Sequence, residues 1–549
     1  MALVLSAPVI AGLAGTFLPA FGHMPAIGAP GFGLQAFRDL FAWVGLAQSV
    51  ALSLQVGLIS TVLSLALVVL VCASLHQTRV FKALIGQLSV LLAVPHAAAA
   101  FGLAFLIAPS GWIARALSPW LTGWERPPDL LVVNDPNGIA LILGLMIKEF
   151  PFLMLMTLAA LGQVRTAQAG ATARSLGYQP AQAWLKTVFP AVYRQIRLPV
   201  FAVLAFSMSV VDSAIILAPN TPPPLAVQVV IWMNDPDLSL RFQAAAGAVL
   251  QLGLVIGGLV LWRGAEVFVA ALGRRWTAAG GRGTWLAERV AGLTATLAVL
   301  MSIAAIIFGL LGLVVWSFAG LWPFPEALPD QLTLRNWDRF GPRLGAPVWE
   351  TTVIAVGTLA LALTLTLACL ETEHRLRLQP GTGALWLLYL PLLVPQVSFL
   401  TGLQTFSLTL GVDGGRIGVI LAHLVFVLPY VFLSLSGPWR AWDPRYGTVA
   451  QALGAPPGRV LRRVRMPMLL APILTASAVG LSVSVGQYLP TLLIGAGRVE
   501  TLTTEAIALA SGGDRRIIGV YALAQTVLAL APFALAILLP RWVMRRGRG

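Results

Sequence analysis

Charge is scarce in this chain of 549 residues: Asp, Glu, Lys and Arg together make up 10% of it, against about 25% in ordinary soluble domains. So few charges cannot cover a water-facing surface, which excludes a water-soluble globular protein. Cysteine is limited to Cys72 and Cys369, both near the ends of apolar runs, where small buried hydrophobes are expected and a disulfide is not. The histidines show no metal-ligand spacing. His96 and His423 lie inside apolar runs, where a hydrogen-bonded core role is the expectation and lining a pathway the alternative. Lysine occurs only as Lys82, Lys148 and Lys186, none of them after a glycine. The chain therefore holds no Gly-Lys-Ser/Thr phosphate loop.

What fills the chain is apolar: 58% of its residues are hydrophobic. Charge-poor runs such as Gln48–Leu75, Phe242–Trp262, Ala291–Leu321 and Ile517–Pro540 are each long enough to cross a hydrocarbon core of about 30 Å as a helix. Residues Met1–Gly22 are apolar without a basic leader, and the first charge is Arg38, so the segment reads as a spanning helix and not as a cleaved signal. Twelve helices are expected, at 3–22, 48–74, 86–109, 137–160, 198–218, 242–262, 290–318, 348–370, 384–409, 416–437, 469–493 and 517–540. Segments 76–87, 161–197, 263–289, 371–377, 439–465 and 541–549 then share one side and carry 24 basic and five acidic residues. The other side carries 11 basic and 14 acidic, and Lys148, Glu149 and Asp212 remain within the membrane. The basic side is cytoplasmic, because Lys- and Arg-rich loops resist translocation. The net charge of +15 is thus a topology signal. Nucleic acid is not an expected partner, since the basic residues are spread over separate loops.

The two parts of the chain repeat each other. Ala173-Arg-Ser-Leu-Gly177 recurs as Ala450-Gln-Ala-Leu-Gly454, and Pro180 and Pro190 recur as Pro457 and Pro467. Val94-Pro95 with Gly102 recurs as Val394-Pro395 with Gly402, and Pro151 corresponds to Pro429. Additional residues in the first copy fall in the loop 110–136, with Trp112, Trp120 and Trp124. Both Ala-x-x-Leu-Gly segments lie on the cytoplasmic side with an even number of helices between them. The duplication is therefore parallel, about an axis along the membrane normal. The expected division is 1–270 and 271–549, two six-helix bundles in an all-α polytopic protein, joined by the cytoplasmic stretch Arg263–Arg289 with 278–283 as its flexible part.

Each repeated loop reads as helix–turn–helix. Gly177 and Gly454 permit a sharp turn, Pro180 and Pro457 open a short second helix, and Pro190 and Pro467 are expected to close it. The first short helix presents Trp184, Leu185 and Val188; the second is basic, with Arg459, Arg462, Arg463 and Arg465. Exposed apolar residues on such a helix suit a partner's groove. At these residues the chain resembles the permeases of binding-protein-dependent ABC importers, whose cytoplasmic loop reads Glu-Ala-Ala, three residues, Gly, then a hydrophobic-Pro pair. The Glu position is Ala171 in one copy and Thr448 in the other. Fused chains of this kind resemble the ferric-iron and thiamine permeases. The resemblance implies a type I importer permease in a bacterial inner membrane, with no catalytic chemistry or cofactor on this chain. It also implies that 171–190 and 448–467 (Ala173, Leu176, Gly177, Pro180, Trp184, Pro190; Ala450, Leu453, Gly454, Pro457, Arg462, Pro467) couple to two ATPase subunits holding ATP and Mg. A periplasmic substrate-binding protein would deliver a small solute or ion. A secondary transporter of the major-facilitator kind and a non-transporting scaffold are the alternatives.

Candidate pathway residues follow from cost. Lys148 and Glu149 are ionisable groups inside a span, and so is Asp212 in the next; such groups face an interior, a cavity or one another. Gln487 and Tyr488 occupy the corresponding region of the second half. Pro151 and Pro429 free backbone groups and permit bends. Pro95 and Pro395, with Gly102 and Gly402, mark kinked spans that serve either close packing or gating.

Overall fold

The computed structural model describes residues 1–29, 31–76, 78–164, 166–378, 381–409 and 415–546. Among the described residues the chain is helical, with only two isolated bridges, Met24–Ala29 and Ala319–Leu332. Ten helices are long and apolar enough to span a membrane, and two further pairs would each span as a bent unit. The fold is that of an all-α polytopic membrane protein.

The first series of elements is α1 (Ala2–Ala20), α2 (Leu46–Leu75), α3 (Arg79–Ala93), α4 (His96–Ile107), α5 (Ile139–Leu161), α6 (Thr166–Ser175), α7 (Pro180–Ala183), α8 (Phe189–Ser209), α9 (Asp212–Leu217) and α10 (Leu240–Ala278). The second is α11 (Trp285–Phe318), α12 (Arg335–Arg375), α13 (Thr382–Leu393), α14 (Gln396–Thr409), α15 (Arg416–Arg440), α16 (Arg445–Ala452), α17 (Pro457–Val460), α18 (Leu470–Val485), α19 (Leu489–Gly495), α20 (Leu502–Ala510) and α21 (Arg515–Arg546). In order, the second repeats the first, with α20 in the place of the helix Leu225–Met233, while the short helices Gln35–Ala42 and Trp112–Leu117 have no counterpart among the described residues of the second.

The two series embrace each other. α1 packs against α10 of its own series and, most extensively, against α14 of the other; α11 packs against α21 and reciprocally against α4. Glycine makes both crossings possible. A Cβ on Gly102 would lie 2.8 Å from the Gly309 carbonyl carbon on α11, and one on Gly309 would lie 2.9 Å from that of Gly102. At the other crossing Gly402 sits against the backbone of Gly12, Gly15 and Thr16 on α1, where the Thr16 and Thr401 hydroxyls meet at 3.1 Å. Such close backbone approach is how helices associate in lipid, where no water is displaced to drive them together.

Several expectations shift. The third and ninth spans are broken and not merely kinked: α3 stops at Ala93 before Pro95, and α13 and α14 meet at 82° across Val394-Pro395. The fifth and eleventh are broken too, between α8 and α9 and between α18 and α19. α5 and α15 run through Pro151 and Pro429 without interruption. α10 runs on through residue 270 to Ala278, so helix occupies most of the cytoplasmic joint. Only 279–284 is non-helical there, where Gly280 and Gly283 take φ of +68° and +82°. Ala265, Glu266, Ala270, Ala271, Leu272, Arg274 and Arg275 favour this continuation. In loop 110–136 a short helix, Trp112–Leu117, packs its Arg115 onto the carbonyls of Trp322, Pro323 and Glu326.

Candidate functional site: a central cavity above two cytoplasmic elbows

The elbows have the same backbone in both copies. α6 ends with the Gly177 N–H donating to the Arg174 carbonyl (2.9 Å) and the Tyr178 N–H to that of Ala173 (3.2 Å). α16 ends with the Gly454 N–H donating to Gln451 (2.9 Å) and the Ala455 N–H to Ala450 (3.0 Å). This paired closure requires a left-handed residue, and Gly177 and Gly454 have φ of +83° and +84°. Pro180 and Pro457 then start α7 and α17 at their first position. Pro190 and Pro467 do not close the short helices as expected. Each short helix widens into a π-turn, 184–188 and 461–465, that ends two residues before the proline. A proline has no N–H for the preceding turn, and the wider turn carries the chain past it. The first copy continues into α8, whereas the second bends by 76° before α18.

The short helices show a different face from the one expected. Trp184 and Val188 are buried in the same core cluster as Leu67, Val71 and Phe81. Ala181, Trp184 and Val188 form one stripe at helical spacing, and that stripe turns inward onto the cytoplasmic ends of the spans. The apolar residues exposed at the turns are instead Leu176 (58% exposed) and Leu453 (83%). Arg465, the counterpart of Val188, is also buried; it meets Glu371 of α12 at 2.6 Å and lies over the Trp442 ring at 4.1 Å. Arg462 and Arg463 stay exposed.

Above the elbows lies a cavity of about 470 Å³ lined by both series. It runs from the helix breaks to Met156 and Ala159 near the cytoplasmic end of α5, and to Gly437 and Pro438 near that of α15. Pro95, Lys148, Glu149, Asp212, Gln487 and Tyr488 all line it, as do His96, Gln396, Phe426 and Tyr430. Pro151, Pro395, Pro429, Gly102 and Gly402 do not. Phe152 and Tyr430, each following one of the prolines in α5 and α15, face each other at 6.4 Å between ring centroids. His96 Nε2 lies 3.3 Å from Glu149 Oε1. His423 lies away from the cavity, between Ser484 Oγ at 2.9 Å and Thr491 Oγ1 at 2.8 Å, and is a satisfied core residue. The carboxylate, ammonium and imidazole side chains that line the cavity among the described residues, those of Asp212, Glu149, Lys148 and His96, all come from the first series. Asp212 opens α9 as Leu489 opens α19, so its counterpart is Leu489 and not Gln487.

A helix break leaves carbonyls without a backbone partner, and at three of the four breaks polar residues of the spans answer them. Lys148 Nζ donates to Leu91 O at 3.1 Å and Val94 O at 2.6 Å, and Ser482 Oγ to Ala93 O at 2.9 Å, capping the end of α3. A cation at a helix C-terminus also complements the dipole. At the break after α8, Gln251 Nε2 donates to Met208 O at 3.0 Å. At the break after α18, Thr503 Oγ1 donates to Val485 O and accepts from Gln525 Nε2 at 2.6 Å. Gln251 and Gln525 are fully buried. They did not figure among the sequence candidates, although a glutamine at matching places in two charge-free spans was the available signal.

Against known proteins, the chain is 33% identical over 517 residues to the inner membrane ABC transporter permease protein YnjC of Escherichia coli, covering 94% of this chain and 92% of that one. It is 29% identical over 180 residues to the molybdenum transport system permease protein ModB of Mycobacterium tuberculosis, 30% of this chain and 68% of that one. It is 23% identical over 168 residues to the spermidine/putrescine transport system permease protein PotC of Haemophilus influenzae, 31% and 65%. No protein-family model and no solved structure matches the chain. With the similarity to YnjC running along nearly its whole length, the chain belongs to the inner-membrane ABC transporter permeases.

Proposed function

We propose that this importer permease builds its entire translocation pathway from one chain, with 1–270 and 271–549 acting as two halves. The observation that supports this reading is the pair of elbows, closed by the same two hydrogen bonds, together with a cavity lined from both series. Each elbow docks one ATPase subunit, so that two subunits bind below; ATP and Mg reside on them. A substrate-binding protein docks on the opposite face and releases a small solute into the cavity. Closure of the ATPases moves both elbows, and the halves rock about the crossings of α1 with α14 and α11 with α4. The cavity, which reaches the cytoplasmic ends of α5 and α15, then opens to the other side. Asp212, Glu149, His96, Gln487 and Tyr488 meet the solute at the level of the helix breaks.

The test is uptake into proteoliposomes that contain the ATPase and the binding protein. Gly177→Asp and Gly454→Asp place a side chain where φ is left-handed and alter the elbow surface. Both variants are expected to insert normally and to lose uptake while ATP hydrolysis no longer responds to loaded binding protein. Normal uptake by both would refute the assignment of the elbows. Co-purification of an ATPase excludes an ion-driven secondary transporter, and stimulation by loaded binding protein excludes a scaffold.

A further inference from the structure

The acidic residues of the cytoplasmic side are all committed within the chain. Glu266 holds Arg197 at 3.2 Å and Arg263 at 2.6 Å. Glu371 holds Arg465 and Arg375, and Glu373 holds Arg440. Glu288 Oε1 accepts the Ala181 N–H at the start of α7 (2.7 Å), and Asp443 Oδ1 accepts the Arg445 N–H (2.9 Å). No Asp or Glu occurs between Glu149 and Asp212, or between Asp443 and Glu500. The exposed side chains of Arg174, Arg459, Arg462 and Arg463 face no carboxylate among the described residues.

The linker between the two series adds to the first of these surfaces. The Gln179 N–H donates to the Arg282 carbonyl (3.0 Å), and Lys186 Nζ donates to the Gly281 carbonyl (2.7 Å) while lying 4.5 Å over the Trp276 ring. The Arg282 side chain lies across Gly177: its Cδ and a terminal guanidinium nitrogen come within 3.5 Å of where a Gly177 Cβ would sit. Whatever receives the first elbow therefore meets Arg282 as well. Gly454 has no such cover.

Resting on the proposed docking of ATPase subunits at the elbows, we infer that each subunit receives its elbow in an acidic groove, and that the linker residue Arg282 is part of the first docking surface. The first surface is Leu176 and Gly177 ringed by Arg174 and Arg282; the second is Leu453 with Arg459, Arg462 and Arg463. Each has an apolar tip with a cationic rim, and rim charges of one sign set salt dependence and encounter with a partner of the other sign. The anionic partner is the ATPase and not a lipid headgroup, because these arginines are exposed on the same elbows as Leu176 and Leu453, outside the spans.

The experiment measures binding of the cognate ATPase subunit to the permease in nanodiscs of phosphatidylcholine alone and with added phosphatidylglycerol, from low to high NaCl. The expected result is an affinity that falls with salt in both lipids. Replacing Arg459, Arg462 and Arg463 together by Gln is expected to weaken it by about ten-fold at low salt, and R282Q with R174Q to weaken it several-fold. Binding that is insensitive to salt and to both sets of substitutions overturns the inference, as does a loss seen only with phosphatidylglycerol, which assigns the arginines to headgroups. Failure of the wild type to bind any ATPase would instead overturn the docking itself. Gly454→Val, which strains the left-handed turn without changing charge and leaves the arginines in place, keeps the two apart.

Discussion

Removing the Gly402 hydrogen tests whether the crossing of α1 with α14 holds the two series together. In Gly402→Ala the new carbon would lie 2.5 Å from the Gly15 carbonyl carbon and closer still to Gly12 O and Thr16 N, where about 3.5–4.0 Å is the comfortable carbon separation. Every atom met is backbone, so the clash is relieved only by moving α1 away by roughly 1 Å. That movement also lengthens the 3.1 Å contact of Thr16 with Thr401. Gly102→Ala at the reciprocal crossing meets Gly309 at 2.8–3.0 Å and asks for a smaller shift. Overpacking of this kind costs about 1–3 kcal/mol, with Gly402 at or above the upper end. Gly253→Ala is the control: it is exposed on α10 with nothing within 4 Å. Heating detergent-solubilised protein and following the surviving monodisperse fraction by size exclusion gives the ranking. The midpoints are expected to fall in the order Gly253→Ala and wild type together, then Gly102→Ala, then Gly402→Ala. A Gly402→Ala midpoint equal to the wild type would refute the reasoning, because no flexible side chain is available to absorb the contact.

Lys148→Met leaves the Leu91 and Val94 carbonyls unpaired beside Glu149, and about 1–3 kcal/mol per orphaned group should appear as a lower melting midpoint; an unchanged midpoint would remove the capping role. Gln251→Leu removes the donor to Met208 O at the break after α8 and should destabilise by a similar amount in the same assay, while Gln525→Leu removes only the support of Thr503, which still caps Val485 O, and should destabilise by less. Glu371→Gln should cost about 3–5 kcal/mol because it strands the buried Arg465 cation, whereas Arg465→Met should cost less, because Glu371 keeps Arg375 at 2.7 Å. Replacing both together should cost much less than the sum, and a strictly additive double mutant would show that the pair does not act as a unit.

The elbows were readable because their geometry is local. Ala-x-x-Leu-Gly followed by Pro at a fixed distance contains the whole instruction for a left-handed turn and a new helix, and repetition removes coincidence. Lys148, Glu149 and Asp212 were readable as polar groups in an apolar setting, and all three line the cavity. Their tasks were not. Lys148 is turned toward carbonyls that exist as orphans only because α3 stops at Ala93, and that stop matters only once α5 and α18 are packed beside it. Trp184 was misjudged for the same reason: an apolar stripe on a short helix states that something covers it, and only packing identifies the cover as this chain's own spans.

The sequence by itself determined that the chain lives in lipid, that its elements repeat, and where the helices turn at Gly177 and Gly454. Each of these depends on composition or on residues close together in the chain. Only the tertiary structure decided that α1 and α11 cross into the opposite series, that charge enters the cavity from one series alone, and that the cytoplasmic acids are spent internally. These are pairings between residues hundreds of positions apart, and apolar helices in lipid carry almost no pattern that names their neighbours; shape at a few glycines and unsatisfied backbone groups at the breaks do that work.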